Sequence, residues 1–311
     1  MKLSVIICTH NPRPEYLSRA LEALRLQTLP MAEWELLVID NASRPAAAAL
    51  VSLAWHPNAR HIREEVLGLT PARLRGIQET QGRLLVFVDD DNLVDPDYLT
   101  NALEIYEEYP FLGAFGGSIT AEFEVDPPLS IAPYLEGLAI RKTLSDHWSN
   151  AKKWSEATPF GAGMCVRREV AELYSERVGN DRIRVALDRQ GTSLGAGGDV
   201  DMAWTSFSLG KGTGCFARLR ATHLISKDRL TEPYIERLYA GLAYADEILA
   251  HQDAGNSKNY NGTVWNTFRF WCNYFRASPF GRKIMIARRL GQERARETIF
   301  KVWPLARKFH S

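Results

Sequence analysis

Three adjacent carboxylates, Asp89-Asp90-Asp91, follow the apolar run Leu84-Leu85-Val86-Phe87-Val88. Like charges this close oppose one another's ionisation unless water hydrates them or a cation neutralises them. Oxygen-only ligands in a flexible turn suit Mg²⁺ or Mn²⁺, ions usually shared with substrate phosphates. The plain alternative is a solvated turn ahead of a helix cap at Asp95. Asp199 and Asp201 fall in Gly197-Gly198-Asp199-Val200-Asp201, where an N-cap and a first-turn charge are both favoured by a helix dipole. Asp40, after Val38-Ile39, has the position of a turn and cap residue. Gly161-Ala162-Gly163 either lets backbone approach a ligand closely or marks a packed or bulged strand. His223 stands alone, as a hydrogen-bonded residue or as a ligand.

These residues need a frame that brings them together. Leu3–Cys8, Glu35–Ile39, Arg60–Arg63 and Leu84–Val88 are short β-rich runs, each followed by a turn signal and then helical spacing, which is the βαβ signature of an α/β fold with a mostly parallel sheet. Leu17, Ala20, Leu21 and Leu24 recur at i, i+3, i+4 and i+7 and predict a first helix. An Ala-rich helix is expected after Asp40-Asn41-Ala42-Ser43, a third from Thr70 to Glu79 and a fourth from Asp95 to Glu108. Strands are expected over 111–123, 160–166 and 214–219, and helices over 168–178 and from Asp199 to about Leu209. From Thr231 onward the pattern is helical only. Ligands of open α/β sheets bind at the carboxyl ends of the strands, and Asp40 and the acid triplet fall there.

Four ordered segments carry a family resemblance: Ser4-Val5-Ile6-Ile7-Cys8-Thr9-His10-Asn11, Val38-Ile39-Asp40-Asn41-Ala42-Ser43, Gly68-Leu69-Thr70-Pro71-Ala72-Arg73-Leu74-Arg75-Gly76-Ile77 and the acid triplet. Over about residues 2 to 230 the chain resembles the family 2 glycosyltransferases, which have the GT-A fold, use nucleotide sugars (commonly UDP-sugars) with a divalent metal, and invert the anomeric carbon. The resemblance implies that Thr9 and Asn11 line the nucleotide pocket and that Asp40 accepts a hydrogen bond from the base, as the N3–H of uracil would supply. Arg73 would lie near the nucleotide and Asp89. Asp89 becomes the first acid of the DXD motif, near the ribose, Asp90 its variable middle position, and Asp91 the ligand of a Mn²⁺ or Mg²⁺ ion. Asp199 matches the general base, although the Glu that precedes it in relatives is Gly198 here. Gly161, Ala162 and Gly163, with Asp201, would wall the donor sugar and acceptor. His223, in an expected loop after the last core strand, would complete the metal shell; Lys227 and Arg229 either face the departing diphosphate or are solvated charges.

Composition bounds the rest. The 311 residues are 45% hydrophobic and 24% charged with a net charge of +1, which excludes disordered, collagen-like and disulfide-scaffold classes. The charge is unevenly spread: Tyr260 to Ser311 holds eleven basic and two acidic residues, so a +9 tail follows a −8 body. We therefore divide the chain into a catalytic domain, 1–230, and a basic helical extension, 231–311. Phe270-Trp271, Tyr274-Phe275 and Ile284-Met285-Ile286 interleave with Arg and Lys in that extension, either as an amphipathic surface for an anionic membrane or as the core of a lid or homodimer face. Nucleic acid is not an expected partner of an acidic body without a recognition motif. Cys8, Cys165, Cys215 and Cys272 lack metal-finger spacing and read as buried thiols of a reducing compartment. With no signal-peptide pattern and no run of about 18 apolar residues, the expected setting is cytoplasmic, with peripheral contact to the inner face of a membrane and a saccharide or lipid-linked acceptor. Two rivals stand beside the transferase: a nucleotide-sugar-binding module without catalysis, and a sugar-phosphate nucleotidyltransferase, which would carry an early Gly-rich basic loop where this chain has Thr9 to Pro14.

Overall fold

The computed structural model describes residues 1–179, 181–185, 187, 188, 194, 195, 197–253 and 264–302. Strands β1 (Leu3–Thr9), β2 (Trp34–Asn41), β3 (Ala59–Glu64) and β4 (Leu84–Asp89) form the parallel half of a sheet ordered β3-β2-β1-β4-β8-β6-β9-β5. In the other half, β8 (Met164–Arg167) runs antiparallel to both β4 and β6 (Leu112–Phe123), β9 (Gly212–Ile225) runs parallel to β6, and β5 (Asn92–Val94) and β7 (His147–Ser149) run antiparallel to β9. Successive side chains of a strand point to opposite faces. Leu3, Val5 and Ile7 accordingly join one core with Leu17, Leu21 and Leu24 of α1 (Pro14–Arg25) and Leu99 and Ala102 of α3 (Tyr98–Glu108). Ile6, Leu37 and Ile39 join the other, under α2 (Leu69–Glu79) and α4 (Arg168–Gly179). Burial on both faces explains why β1, β2 and β4 read as continuous apolar runs.

The structure departs from the sequence expectations in the elements around the site. The Ala-rich helix after β2 is a single turn, Ala47–Ala49: only Ala47 is buried, so no apolar face drives a longer helix, and Asp40 draws the loop back by accepting the amides of Ser43 and Ala47. The glycine segment expected as strand over 160–166 is a turn closed by the Met164 amide on the Gly161 carbonyl, with Gly163 at φ +75, and β8 starts only at Met164. Strand β9 runs on to Ile225 and contains His223, because β5 and β6 pair with it on either side. Helix α6 (Gly198–Thr205) opens on a Gly197 cap, so Asp199 is inside its first turn rather than capping it.

The extension is helical, with α7 (Glu232–Asp253), α8 (Val264–Arg276) and α9 (Pro279–Val302). It packs into cores shared with the preceding chain: Ile183, Leu187, Val200 and Trp204 meet Ala245, Ile248, Leu249, Ala295 and Ile299, while Ile131, Leu138 and Ile225 meet Ile235, Leu238, Phe280 and Ile284. Trp271 and Phe275 of α8, with Ile286 and Leu290 of α9, stay exposed. All four cysteines are free, but only Cys165 and Cys215 are buried; Cys8 and Cys272 are half-buried, contrary to the expectation for them. Among the described residues no helix is long and apolar enough to cross a membrane.

Candidate active site

The carboxyl ends of β1, β2 and β4 form one rim. Thr9 pairs with Asp40 and Cys8 with Asp89 across the ladders, so parallel register alone gathers three expected site residues. Asp40 is buried, with Oδ1 accepting the Ser43 amide at 3.0 Å and Oδ2 accepting the Ala47 amide at 3.0 Å and Arg63 Nη1 at 2.8 Å. Burial works to raise its pKa, yet these donors outweigh it and hold the carboxyl below its ordinary range. Asn11, at φ 48, donates its amide to Ser43 Oγ and accepts the Arg44 amide, pinning the first loop to the second. The Thr9 hydroxyl donates to Asp90, so the middle acid of the triplet is tied to β1.

Asp91 is held from the opposite side. His223 sits across from Asn92 in the β5–β9 ladder, which brings its Nε2 to 3.3 Å from Asp91 Oδ2. Its Nδ1 is 2.9 Å from the Leu138 carbonyl, an acceptor only, so Nδ1 carries a proton, and in that tautomer the lone pair of the ring is on Nε2. Arg229 Nη1 bridges the pair, 2.8 Å from Asp91 Oδ2 and 2.9 Å from His223 Nε2.

The third cluster surrounds Asp199. Its Oδ2 accepts the Gly161 amide and its Oδ1 the Val200 amide, both at 2.8 Å. Burial raises the Asp199 pKa, the Arg73 cation pulls it down, and Asp188 pushes it up again, for a net rise above the ordinary carboxylate value. A helix-dipole argument alone favours a fully ionised, weaker base; desolvation wins here and makes Asp199 a stronger one. Arg73 is buried, with Nη1 on Asp188 Oδ2 at 3.0 Å and on Oδ1 at 3.3 Å. A side chain at Gly161 would press on both groups, since a Cβ there would lie 2.9 Å from Arg73 Nη2 and 3.2 Å from Asp199 Oδ2. The adjoining turn is fixed by Tyr98, whose hydroxyl donates to the Gly163 carbonyl at 2.6 Å.

The glycosyl transferase family 2 model matches residues 4–172, more than half of the sequence. The chain belongs to this family. A glucosyl-dolichyl phosphate glucuronosyltransferase of Haloferax volcanii is 26% identical over 129 residues, 41% of each chain. The matched stretch is thus well under two thirds of that relative's length. Among solved structures, a mannosyltransferase of Pyrobaculum calidifontis in complex with GDP-Man and Mn²⁺ superposes with a TM-score of 0.59 at 17% identity, over 94% of this chain and 86% of that one. Staphylococcus aureus TarS, residues 1–349 with UDP-GlcNAc, gives 0.52 at 14% identity over 96% and 92%. At these identities the likeness is one of fold, and the fold is the GT-A arrangement that the motifs implied.

Within this family 2 chain the expected residues form three neighbouring groups: Thr9, Asn11, Asp40, Asp89 and Asp90 at the strand rim, Asp91 with His223, and Arg73 with Gly161 and Asp199. Ala162 is buried inside the glycine turn. Asp201 does not join them; its Oδ1 accepts Arg184 Nη1 at 2.7 Å, and burial pushes its pKa up to about 6 against the pull of Arg184. Sequence reasoning missed Asp188, which holds Arg73 from a stretch without helical or strand periodicity. The one available signal was Gly198 itself, a glycine immediately before Asp199.

Proposed function

We propose that this chain transfers a sugar from a nucleoside diphosphate sugar, with uridine the preferred base, to an acceptor hydroxyl with inversion of the anomeric carbon. The observation that carries this reading is the Asp199 carboxylate, anchored on the Gly161 and Val200 amides, beside Arg73, with its pKa raised by burial. The acceptor oxygen bonds to the anomeric carbon as the bond to the diphosphate oxygen breaks. Asp199 takes the hydroxyl proton, and the nucleoside diphosphate leaves. A base held by two amides cannot swing away, and its raised pKa brings proton affinity closer to working pH.

At the rim, Asp40 accepts the Ser43 and Ala47 amides, Arg63 and the Ser43 hydroxyl, four donors on a carboxylate that offers about four lone-pair directions. The N3–H of uracil would take the place of the most mobile of these, the Ser43 hydroxyl, beside the Thr9 and Asn11 loop. A carboxylate in that place favours a base that donates. The two structural relatives carry different donors, UDP-GlcNAc in one and GDP-Man in the other, so base preference is a property of Asp40 and its loop rather than of the fold.

Asp91 and His223 suit a divalent cation. The Leu138 carbonyl fixes the His223 tautomer so that the Nε2 lone pair faces Asp91, and the Arg229 guanidinium already bridges the same two atoms as a positive charge would. Among the described residues no cluster of three His, Cys, Asp or Glu converges. The set therefore fits an ion such as Mn²⁺ or Mg²⁺ that shares its shell with phosphate oxygens and water. When bound, that ion would neutralise charge on the departing diphosphate. Arg229, which bridges Asp91 and His223, would yield those atoms to the ion and could then meet the same negative charge.

For the acceptor side, the exposed aromatics Trp271 and Phe275 of α8 lie beside Arg276, Arg282 and Arg289, a pairing that supports contact with an anionic lipid surface and hence a lipid-linked acceptor. Four free thiols support a reducing, cytoplasmic setting. Thermal denaturation with UDP, GDP and related nucleotides, with and without Mn²⁺, tests the donor reading. UDP with Mn²⁺ should raise Tm the most, and a protein stabilised by no nucleoside diphosphate would overturn it.

A further inference from the structure

Gly198 has no room for a side chain. A Cβ built on it would stand 2.3 Å from Asp188 Oδ2, 2.4 Å from Cγ and 2.5 Å from Oδ1, so the whole carboxylate of Asp188 fills that volume. Separations below 3 Å at all three atoms cannot be relieved by a small rotation. Asp188 is 3% exposed and fully engaged: Oδ2 accepts Thr70 Oγ1 at 2.9 Å and Arg73 Nη1 at 3.0 Å, and Oδ1 accepts the same nitrogen at 3.3 Å. Thr70 and Arg73 lie three residues apart on α2, on neighbouring positions of one face. The carboxylate thus pins α2 from upstream of α6 and crosses the backbone of the residue that immediately precedes Asp199.

We propose that Asp188 is a positioning residue for the transfer, a carboxylate that occupies the space Gly198 leaves open and fixes Arg73 beside Asp199. The proposal rests on the reading of Asp199 as the base. Arg73 lies between two acids, and its Nη1 is tied to the buried one, Asp188. That arrangement keeps Arg73 from closing fully onto Asp199, which would neutralise the base. The titratable groups facing Asp199 and Arg73 are Asp188 from upstream of α6, Tyr174 from α4, Cys8 from β1 and Asp89 from the end of β4. Asp188 is the acid among them that acts on Asp199 directly as well as through Arg73.

The test uses the full chain and release of nucleoside diphosphate from a donor that it turns over. Asp188→Asn removes the charge and keeps the shape. It should lower kcat roughly 10- to 100-fold, the scale for groups that orient a reactive residue, with little change in KM for donor, and move the acid limb of the kcat profile to lower pH. A second variant guards against misfolding. Gly198→Glu alone should abolish turnover by forcing two carboxylates into one space, and Asp188→Gly combined with Gly198→Glu should recover at least about tenfold of it. A profile unmoved in Asp188→Asn, or a double variant no better than Gly198→Glu, overturns the proposal. Asp199→Asn separates the two levels: if it retains wild-type turnover, the base reading fails; if it is inactive while Asp188→Asn is unaltered, only the role of Asp188 fails.

Discussion

Replacing Arg73 by Gln removes the cation that holds the Asp199 pKa down against burial and Asp188. Arg73 Nη2 and Asp199 Oδ2 lie 2.9 and 3.2 Å from a common point, the Cβ position of Gly161, so they are at most about 6 Å apart. At an effective dielectric of about 20 that separation corresponds to about 3 kcal/mol, or roughly 2 pH units, and partial exposure of Asp199 reduces the shift toward about 1 unit. The sign follows directly. Asp199 must be ionised to accept a proton, and losing the cation raises its pKa further. The acid limb of kcat/KM therefore moves to higher pH, with activity depressed at neutral pH and partly restored at alkaline pH. The same change leaves Asp188 buried without its cation, at a stability cost of about 3–5 kcal/mol, so assays belong well below the lowered Tm. Arg73→Lys keeps the charge without the planar guanidinium and should shift the limb less than Arg73→Gln. Initial rates of nucleoside diphosphate release from pH 5 to 9 supply the measurement. An acid limb that stays in place, or moves to lower pH in Arg73→Gln, refutes the electrostatic account of this site.

Three further outcomes can be checked. Gly161→Ala should cut kcat by about tenfold or more while Tm falls only modestly, because its methyl group would press on both Arg73 and Asp199; a variant with wild-type kcat contradicts the packing argument. Asp91→Ala or His223→Ala should weaken activation by Mn²⁺, read as a rise of at least tenfold in the concentration for half-maximal rate, and unchanged metal dependence in both would remove them as ligands. Trp271→Ser combined with Phe275→Ser should reduce flotation with vesicles containing anionic phospholipid while altering stability by no more than about 0.5 kcal/mol, since both side chains are exposed. Equal flotation of variant and wild type would argue against the lipid surface.

Much of this site was legible because parallel strands convert sequence order into spatial order. Thr9, Asp40 and Asp89 each end an apolar run, and once the runs pair in parallel their ends share one rim. The third helix was legible too, and with it the address of Arg73, although not its partner. What the sequence did not reveal depends on pairing across long separations. His223 belongs to a strand only because β5 and β6 hold it from either side, and nothing local in Ala221-Thr222-His223 announces either neighbour. The Ala-rich segment after Asp40 has helix propensity but no apolar stripe, and propensity without burial yields one turn. Asp201 followed the motif yet turned to Arg184, because a first-turn residue of a short helix can face either the cleft or the neighbouring element. Asp188 left a trace only as the missing side chain of Gly198.

The central claim is that Asp199 is the base of an inverting transfer from a nucleoside diphosphate sugar. Its most direct test follows donor consumption by NMR, with UDP-sugars, Mn²⁺ and an acceptor, in wild type and in Asp199→Asn, an uncharged variant of the same shape. The account predicts a product of opposite anomeric configuration to the donor, made by wild type and reduced by about 10²- to 10⁴-fold in the variant, with donor affinity preserved. Retention of configuration, or transfer by Asp199→Asn at the wild-type rate, would contradict it.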